Sequence, residues 1–342
     1  MDRRQFYRRV SGLLAAATLR DTMLPAEELS KDDAASQSAK PPVNVRTPTL
    51  GGKQFWGDEL FFHDWRIQCN TFTGHYRLLD GKNVRHAWGS FEHCREKLDG
   101  IRRERNLPTM SGRAVIVLHG LFRSDNSMCR IAKHLREQGK FATFNVTYPS
   151  TQGSVADHAQ RLAKILVRLE GIEEVNFVAH SLGNLVVRHY LSDATDEVND
   201  KRPDPRIKRM VMLGPPNNGA QIAEVLLANQ VGAFLAGQSG QQLAREWQQL
   251  KDKLATPGFE FGIIAGGRNQ ERGFNPLLAG DNDLVVSVET ARLPGAADFA
   301  VLPVLHAIMM DNATVQQYTL QFLEHGYFVS PETRQPIPLT KA

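Results

Sequence analysis

Cysteine is scarce: Cys69, Cys94 and Cys129 are the only three in 342 residues. An odd number without Cys-x-x-Cys spacing excludes a disulfide framework and a cysteine zinc site, so buried free thiols are expected. The histidines His63, His75, His86 and His93 also lack ligand spacing, and neither a metal nor a cofactor is expected. A large excess of one charge is missing too. Lys and Arg number 41 against 37 Asp and Glu, a formal net charge of +4, and the basic cluster Arg102, Arg103 and Arg105 has no interleaved aromatics. That cluster reads as a solvated face, and a nucleic-acid partner is not expected. The apolar run near the N-terminus extends only from Val10 to Leu19, well short of the roughly twenty residues a bilayer-spanning helix needs.

What is present is a globular balance, 42% hydrophobic and 23% charged, in a chain long enough to bury a sizeable core. Asp2-Arg3-Arg4-Gln5-Phe6-Tyr7-Arg8-Arg9 ahead of the Val10 run resembles a twin-arginine export signal, which implies an extracytoplasmic destination. A disordered basic tail or an amphipathic helix is the alternative. Residues 27–48, rich in Ala, Ser, Lys, Asp and Pro without apolar period, read as a linker. The expected organisation is therefore a signal-like or disordered segment over 1–48, a strand pair and helix over 49–111, a main domain over 112–328 and a tail over 329–342. The strand pair lies between Trp65 and Leu79 around Thr73-Gly74. The helix carries Phe91, Cys94, Leu98 and Ile101 at helical spacing, with Ser90 as N-cap.

From Ala114 onward the pattern becomes short continuous apolar runs, the mark of a parallel sheet buried on both faces. The runs are Ala114 to Leu118, Ala142 to Val146, Val175 to Val178, Met210 to Leu213, Phe261 to Ala265 and Phe299 to Val304. Helices are expected over Ser154 to Leu169, Leu182 to Leu191 and Asn312 to His325, with a longer helical insertion over Gln221 to Leu254.

Chemistry concentrates after the third run. Ala179-His180-Ser181-Leu182-Gly183 follows a strand and precedes a helix, the context of a G-x-S-x-G nucleophile elbow with Ala in the first position. The sharp turn needs small residues two before and two after the serine, and Ala179 and Gly183 qualify. A serine hydroxyl is a weak nucleophile that needs a general base, and the base needs an orienting acid. In chain order these follow as acid, then His. His306 stands just beyond the last run, and either Asp283 or Asp281 precedes it after the Phe261 run. Oxyanion donors are expected from the N–H of Leu182, the residue after the nucleophile, and of Leu121 in His119-Gly120-Leu121.

These motifs resemble the lipase-like branch of the α/β-hydrolase superfamily, which includes bacterial triacylglycerol lipases and GPI-inositol-deacylase-like enzymes. The likeness runs from about Arg113 to His325. Gly214-Pro215-Pro216-Asn217-Asn218-Gly219 is similar to the Thr-Pro-x-x-Gly loop of those lipases. Asp283-Leu284-Val285-Val286 is similar to their acid-bearing Asp-Gly-Val-Val segment, which favours Asp283, although Leu284 for Gly leaves Asp281 in play. The resemblance implies an α/β-hydrolase fold: a mostly parallel central sheet with helices on both faces and a helical lid at about 220–256. Leu243, Trp247, Leu250 and Leu254 would form the inner face of that lid, with Ile222, Val225, Leu226, Phe234 and Leu235 ahead of them. Gly237, Ser239 and Gly240 would form its hinge. It further implies hydrolysis of a small-molecule or lipid carboxylic ester, with peripheral contact to a lipid surface. An acyltransferase using the same triad, or a catalytically silent binding protein on this fold, remains the alternative.

Overall fold

Residues 54–195, 202–219 and 237–339 are described by the computed structural model. The twin-arginine segment, the linker and the part of the insertion holding Ile222, Val225, Leu226, Phe234 and Leu235 lie outside them.

The strands form two sheets. The first is an antiparallel meander of β1 (Trp56–Phe62), β2 (Trp65–Asn70), β3 (Tyr76–Leu79) and β4 (Arg85–Gly89). The expected strand pair is β2 with β3, running from Arg66↔Leu79 to Cys69↔Tyr76. The flanking strands escape an apolar-alternation reading because β1 buries Asp58 and Glu59, and β4 buries His86. Buried charges persist only when paired. Asp58, whose carboxyl burial pushes above the usual range, accepts from the Thr147 N–H at 2.6 Å and from Gln68 Nε2 at 2.8 Å. Glu59 meets Lys164 at 2.9 Å, Arg168 at 3.0 Å and Arg161 at 3.4 Å. After the meander, α1 (Phe91–Glu104) opens at Ser90, whose hydroxyl oxygen accepts from the His93 N–H.

The second sheet is parallel throughout, in the order β10-β9-β8-β7-β5-β6. Its strands are β5 (Arg113–Leu118), β6 (Ala142–Val146), β7 (Glu174–His180), β8 (Ile207–Leu213), β9 (Glu260–Gly266) and β10 (Asp298–Leu302), each on an expected run. Helices cover both faces. α2 (Cys129–Gln138) and α7 (Ala313–His325) pack Ile131, Leu135, Val315 and Phe322 against Val115, Val117, Val178 and Val211. α3 (Val155–Val167) and α4 (Leu182–Asp193) pack Leu162, Ile165 and Leu185 on the opposite face, against Ile116, Phe177 and Met210. That alternation is the period of two of a strand buried on both sides. The meander's Leu60, Phe62, Ile67 and Leu78 join the same core as α3. α2 was not expected, because its short apolar stripe is interleaved with Arg130, Lys133, His134 and Arg136.

Two further helices, α5 (Gly237–Arg245) and α6 (Trp247–Lys251), form the described part of the insertion. Leu243, Leu250 and Leu254 are buried in the core, with Trp247 packed against it. Of the expected hinge residues, Gly237 opens α5 with φ +61°, whereas Ser239 and Gly240 lie inside the helix, where the Ser239 hydroxyl donates to the Gly153 carbonyl at 2.9 Å. Opening there would break both the helix and that bond. Of the thiols, Cys69 and Cys94 are buried as expected, and burial pushes Cys94 up to about 12. Cys129 is instead exposed at the start of α2. Residues 335–337 bond back to the segment around β10, with Ile337 exchanging hydrogen bonds with Gly295 and Ala296 at 2.8 and 2.9 Å.

Because the strands are parallel, their C-terminal ends share one edge. The loops leaving β5, β7, β8, β9 and β10 meet there, where ligands of open α/β sheets bind.

Candidate active site

Ser181 occupies the turn between β7 and α4 with φ +52° and ψ −119°. A non-glycine residue in that region carries strain on the order of 1–3 kcal/mol, which the surroundings must hold in place. They do so through its N–H, which donates to the Leu213 carbonyl at 3.0 Å, and its carbonyl, which accepts from the Asn184 N–H and Nδ2, each at 3.0 Å. The turn presents the hydroxyl at the C-terminal edge of the sheet.

His306 opens a 3-10 turn after β10. Its Nδ1 lies 2.7 Å from Asp283 Oδ2, and its backbone N–H donates to the Asp283 carbonyl at 3.0 Å. One residue thus holds both the ring and the main chain of the histidine. A carboxylate only accepts, so Nδ1 carries the hydrogen and Nε2 keeps the lone pair that a base requires. Asp283 is fully buried and its other oxygen accepts from the N–H groups of Val285 at 3.0 Å and Val286 at 2.7 Å.

Gly214 shows how closely these parts approach. It follows Leu213, the partner of Ser181, and a side-chain carbon on it would come within 3.0 Å of His306 Nδ1 and 3.3 Å of Asp283 Oδ2. With φ +50°, the position suits glycine on both counts. The motif Gly214 to Gly219 therefore begins as the wall between the serine turn and the His–Asp pair.

Asp281 is placed differently. Its carboxylate accepts the backbone N–H groups of Arg268 at 2.7 Å, Asn269 at 2.8 Å and Asn282 at 3.0 Å, folding the loop after β9. Leu284, the residue standing where the resembling lipases have Gly, takes φ +90° and is substantially exposed. Of the expected donors, Leu182 is the first residue of α4, among the N–H groups a helix leaves unbonded. Leu121 follows Gly120, on which a side-chain carbon would stand 3.0 Å from Ser181 Cβ. The β5 loop thus lies directly against the serine.

Two residues near this centre escaped sequence reasoning. His180 Nε2 lies 3.0 Å from the His306 carbonyl oxygen, and Arg123 Nη2 donates to the Ala307 carbonyl at 3.0 Å. Nothing in the sequence pairs residues so far apart. His119 turns inward instead: its ring stacks on Tyr148 at 4.2 Å, and the Tyr148 hydroxyl donates to the His119 carbonyl. Tyr148 in turn abuts His158, which burial pushes down to about 3.

Residues 113–260, from β5 to the start of β9, match the family described as alpha/beta hydrolase fold. The chain has the α/β-hydrolase fold. Asp283 and His306 lie beyond the matched stretch. No curated protein matches the chain. Among solved structures, it is similar to the lin2722 gene product of Listeria innocua at 16% identity, over 67% of this chain and 99% of that one, with a TM-score of 0.43. It is similar to Staphylococcus hyicus lipase at 11% identity, over 63% and 93% of the two chains, with a TM-score of 0.42. A lipase-esterase related protein from Clostridium acetobutylicum shares 9% identity over 64% and 95%, with a TM-score of 0.40.

Proposed function

We propose that this α/β-hydrolase cleaves carboxylic esters through an acyl-enzyme on Ser181. The observation that carries the reading is the 2.7 Å contact between His306 Nδ1 and Asp283 Oδ2, beside a serine held in a strained strand-to-helix turn. In this reading His306 Nε2 takes the Ser181 proton as the hydroxyl attacks the ester carbonyl. The oxyanion that forms is met by the N–H groups of Leu182 and Leu121. His306 then gives the proton to the departing alcohol, and a water activated by the same ring releases the acid. Asp283 keeps the ring in the required tautomer and offsets its charge.

An apolar acyl group fits the surroundings. Phe122 follows Leu121, Leu284 follows Asp283 and Ile308 lies two residues beyond His306, and all three side chains are exposed. Exposed apolar residues next to the site residues in the chain suit an ester with an apolar part, or contact with a lipid surface.

The test is hydrolysis of p-nitrophenyl esters of increasing chain length, alongside labelling by a fluorophosphonate probe. Wild-type protein should turn over and be labelled, and Ser181→Ala should do neither. A folded wild-type protein that remained unlabelled would return the chain to the silent binding reading. Acyl transfer to an added alcohol in preference to water would make it a transferase.

A further inference from the structure

A shallow cleft of about 470 Å³ is lined by Gln54, Phe122, Arg123, Ser124, Asn126 and Ser127. Its Phe122 and Arg123 directly follow Leu121 in the β5 loop. Arg123 stands two residues beyond Leu121, and its Nη2 donates to the carbonyl of Ala307, the neighbour of His306, at 3.0 Å. The main chain of Arg123 is fixed as well: its carbonyl accepts from Gln54 Nε2 at 2.9 Å. Gln54 Oε1 is itself held by the Thr151 N–H at 3.2 Å and hydroxyl at 3.0 Å. The arginine is thus pinned at both ends.

Its charge, however, is not matched. Arg168 and Arg209 each meet a carboxylate at 3.0 Å or less, whereas among the described residues Arg123 has no carboxylate within ion-pair distance and uses its guanidinium only on a neutral carbonyl. A guanidinium has five donors in a rigid fork shaped for carboxylate or phosphate oxygens. Its field also reaches the catalytic edge, being one of the influences that hold His180 below the usual histidine range, after burial and His306.

We propose that this cleft binds an anionic group, phosphate or carboxylate, on the alcohol portion of the ester, with Arg123 as the residue that selects it. The inference rests on the esterase reading above. The alcohol side follows from the chemistry of leaving: His306 must hand its proton to the departing alcohol oxygen, so the alcohol lies at His306, and Arg123 is bonded to the next residue. Ser124 and Asn126 line the same cleft and carry neutral hydrogen-bond donors. With the exposed Phe122, Leu284 and Ile308 close in the chain to Leu121, Asp283 and His306, the substrate class becomes an amphiphilic ester, apolar in its acid and anionic in its alcohol.

The test uses the full chain in two measurements. Titration calorimetry with phenyl phosphate on Ser181→Ala should show binding that weakens about tenfold or more when Arg123→Gln is added, with partial recovery in Arg123→Lys. Turnover of 4-acetoxyphenyl phosphate against its neutral analogue 4-acetoxyanisole should favour the anionic ester in kcat/KM. That preference should fall about tenfold in Arg123→Gln, chiefly through KM. Gln still offers an N–H to the Ala307 carbonyl, so a purely structural role for Arg123 predicts equal losses on both esters. Equal losses, or phenyl phosphate binding insensitive to Arg123, would overturn the proposal. Binding that depends on Arg123 without turnover of either ester would overturn the esterase reading and leave the anion site standing. Arg123-dependent hydrolysis of phosphatidylglycerol vesicles would identify the anion as a lipid phosphate. Dependence confined to the soluble ester would identify a small soluble alcohol.

Discussion

His180 Nε2 lies 3.0 Å from the carbonyl oxygen of His306. The residue before the candidate nucleophile therefore grips the residue that bears the candidate base. A carbonyl only accepts, so Nε2 carries the hydrogen, and burial together with the nearby His306 keeps the ring neutral by pushing its pKa far down. Its Nδ1 is buried and, among the described residues, has no hydrogen-bond partner, a cost that accompanies a fixed ring.

His180 should accordingly act as a positioning residue. His180→Ala is expected to lower kcat roughly 10- to 100-fold with KM changed little, because a small displacement of the base spoils the attack geometry. His180→Gln, which can still donate to the His306 carbonyl, should recover part of that loss. Equal kcat for the Ala and Gln variants, measured on one ester under saturation, would show that the bond does not position His306.

The two aspartates should separate along different axes. Asp283→Asn replaces the carboxylate facing His306 Nδ1 with an uncharged amide whose NH2 can hold the ring in the wrong tautomer, and should reduce kcat by about 10⁴, with folding largely retained. Asp281→Asn should do the reverse: it weakens the bonds to Arg268, Asn269 and Asn282, costing about 1–2 kcal/mol in urea unfolding, while kcat of the folded protein stays near wild type. A large kcat loss in Asp281→Asn with little change in Asp283→Asn would exchange their roles.

His158 should make stability depend on acidity. Its pKa is pushed down to about 3 by burial, from 6.5. Below pH 6.5 the unfolded chain takes up a proton that the folded chain refuses. Stability is therefore full above 6.5 and is lost as pH falls toward 3, with a slope on the order of 1 kcal/mol per pH unit. Urea midpoints measured from pH 7 to pH 4 should fall less steeply in His158→Gln, by about one proton. Parallel curves for the two proteins would contradict this.

Arg188 should stabilise the end of the insertion. It is buried, which pushes its pKa down to about 10, and it donates to the carbonyls of Ala255 at 2.9 Å and Leu254 at 3.3 Å and to Asn217 Oδ1 at 3.0 Å. Arg188→Met would leave three acceptors, two of them buried, without that donor, for a loss of about 3 kcal/mol. Arg188→Lys should recover less than half of it, since one ammonium cannot span all three. Calorimetric unfolding that showed Arg188→Met within about 1 kcal/mol of wild type would mean that water or main-chain shifts satisfy those groups.

By itself the sequence determined the strands of the parallel sheet, most of its helices and the serine turn. These are local properties: a run buried on both faces is continuously apolar, a cap is a single residue such as Ser90, and a tight turn needs small neighbours such as Ala179. It also placed His306 after the last strand, because chain order along a parallel sheet is nearly spatial order at its edge. Only the tertiary structure decided what depends on groups distant in the chain. Asp283 and Asp281 are two residues apart with the same side chain, and the loop that turns one toward His306 and the other toward Arg268 is what distinguishes them. β1 and β4 were hidden because their buried polar side chains break the apolar pattern, and Asp58 and Glu59 of β1 are tolerated only through partners such as Thr147 and Arg168 on other elements. Arg123 is an unremarkable basic residue until folding brings it to Ala307, 184 positions away, where a solvated charge becomes a fixed one beside the candidate site.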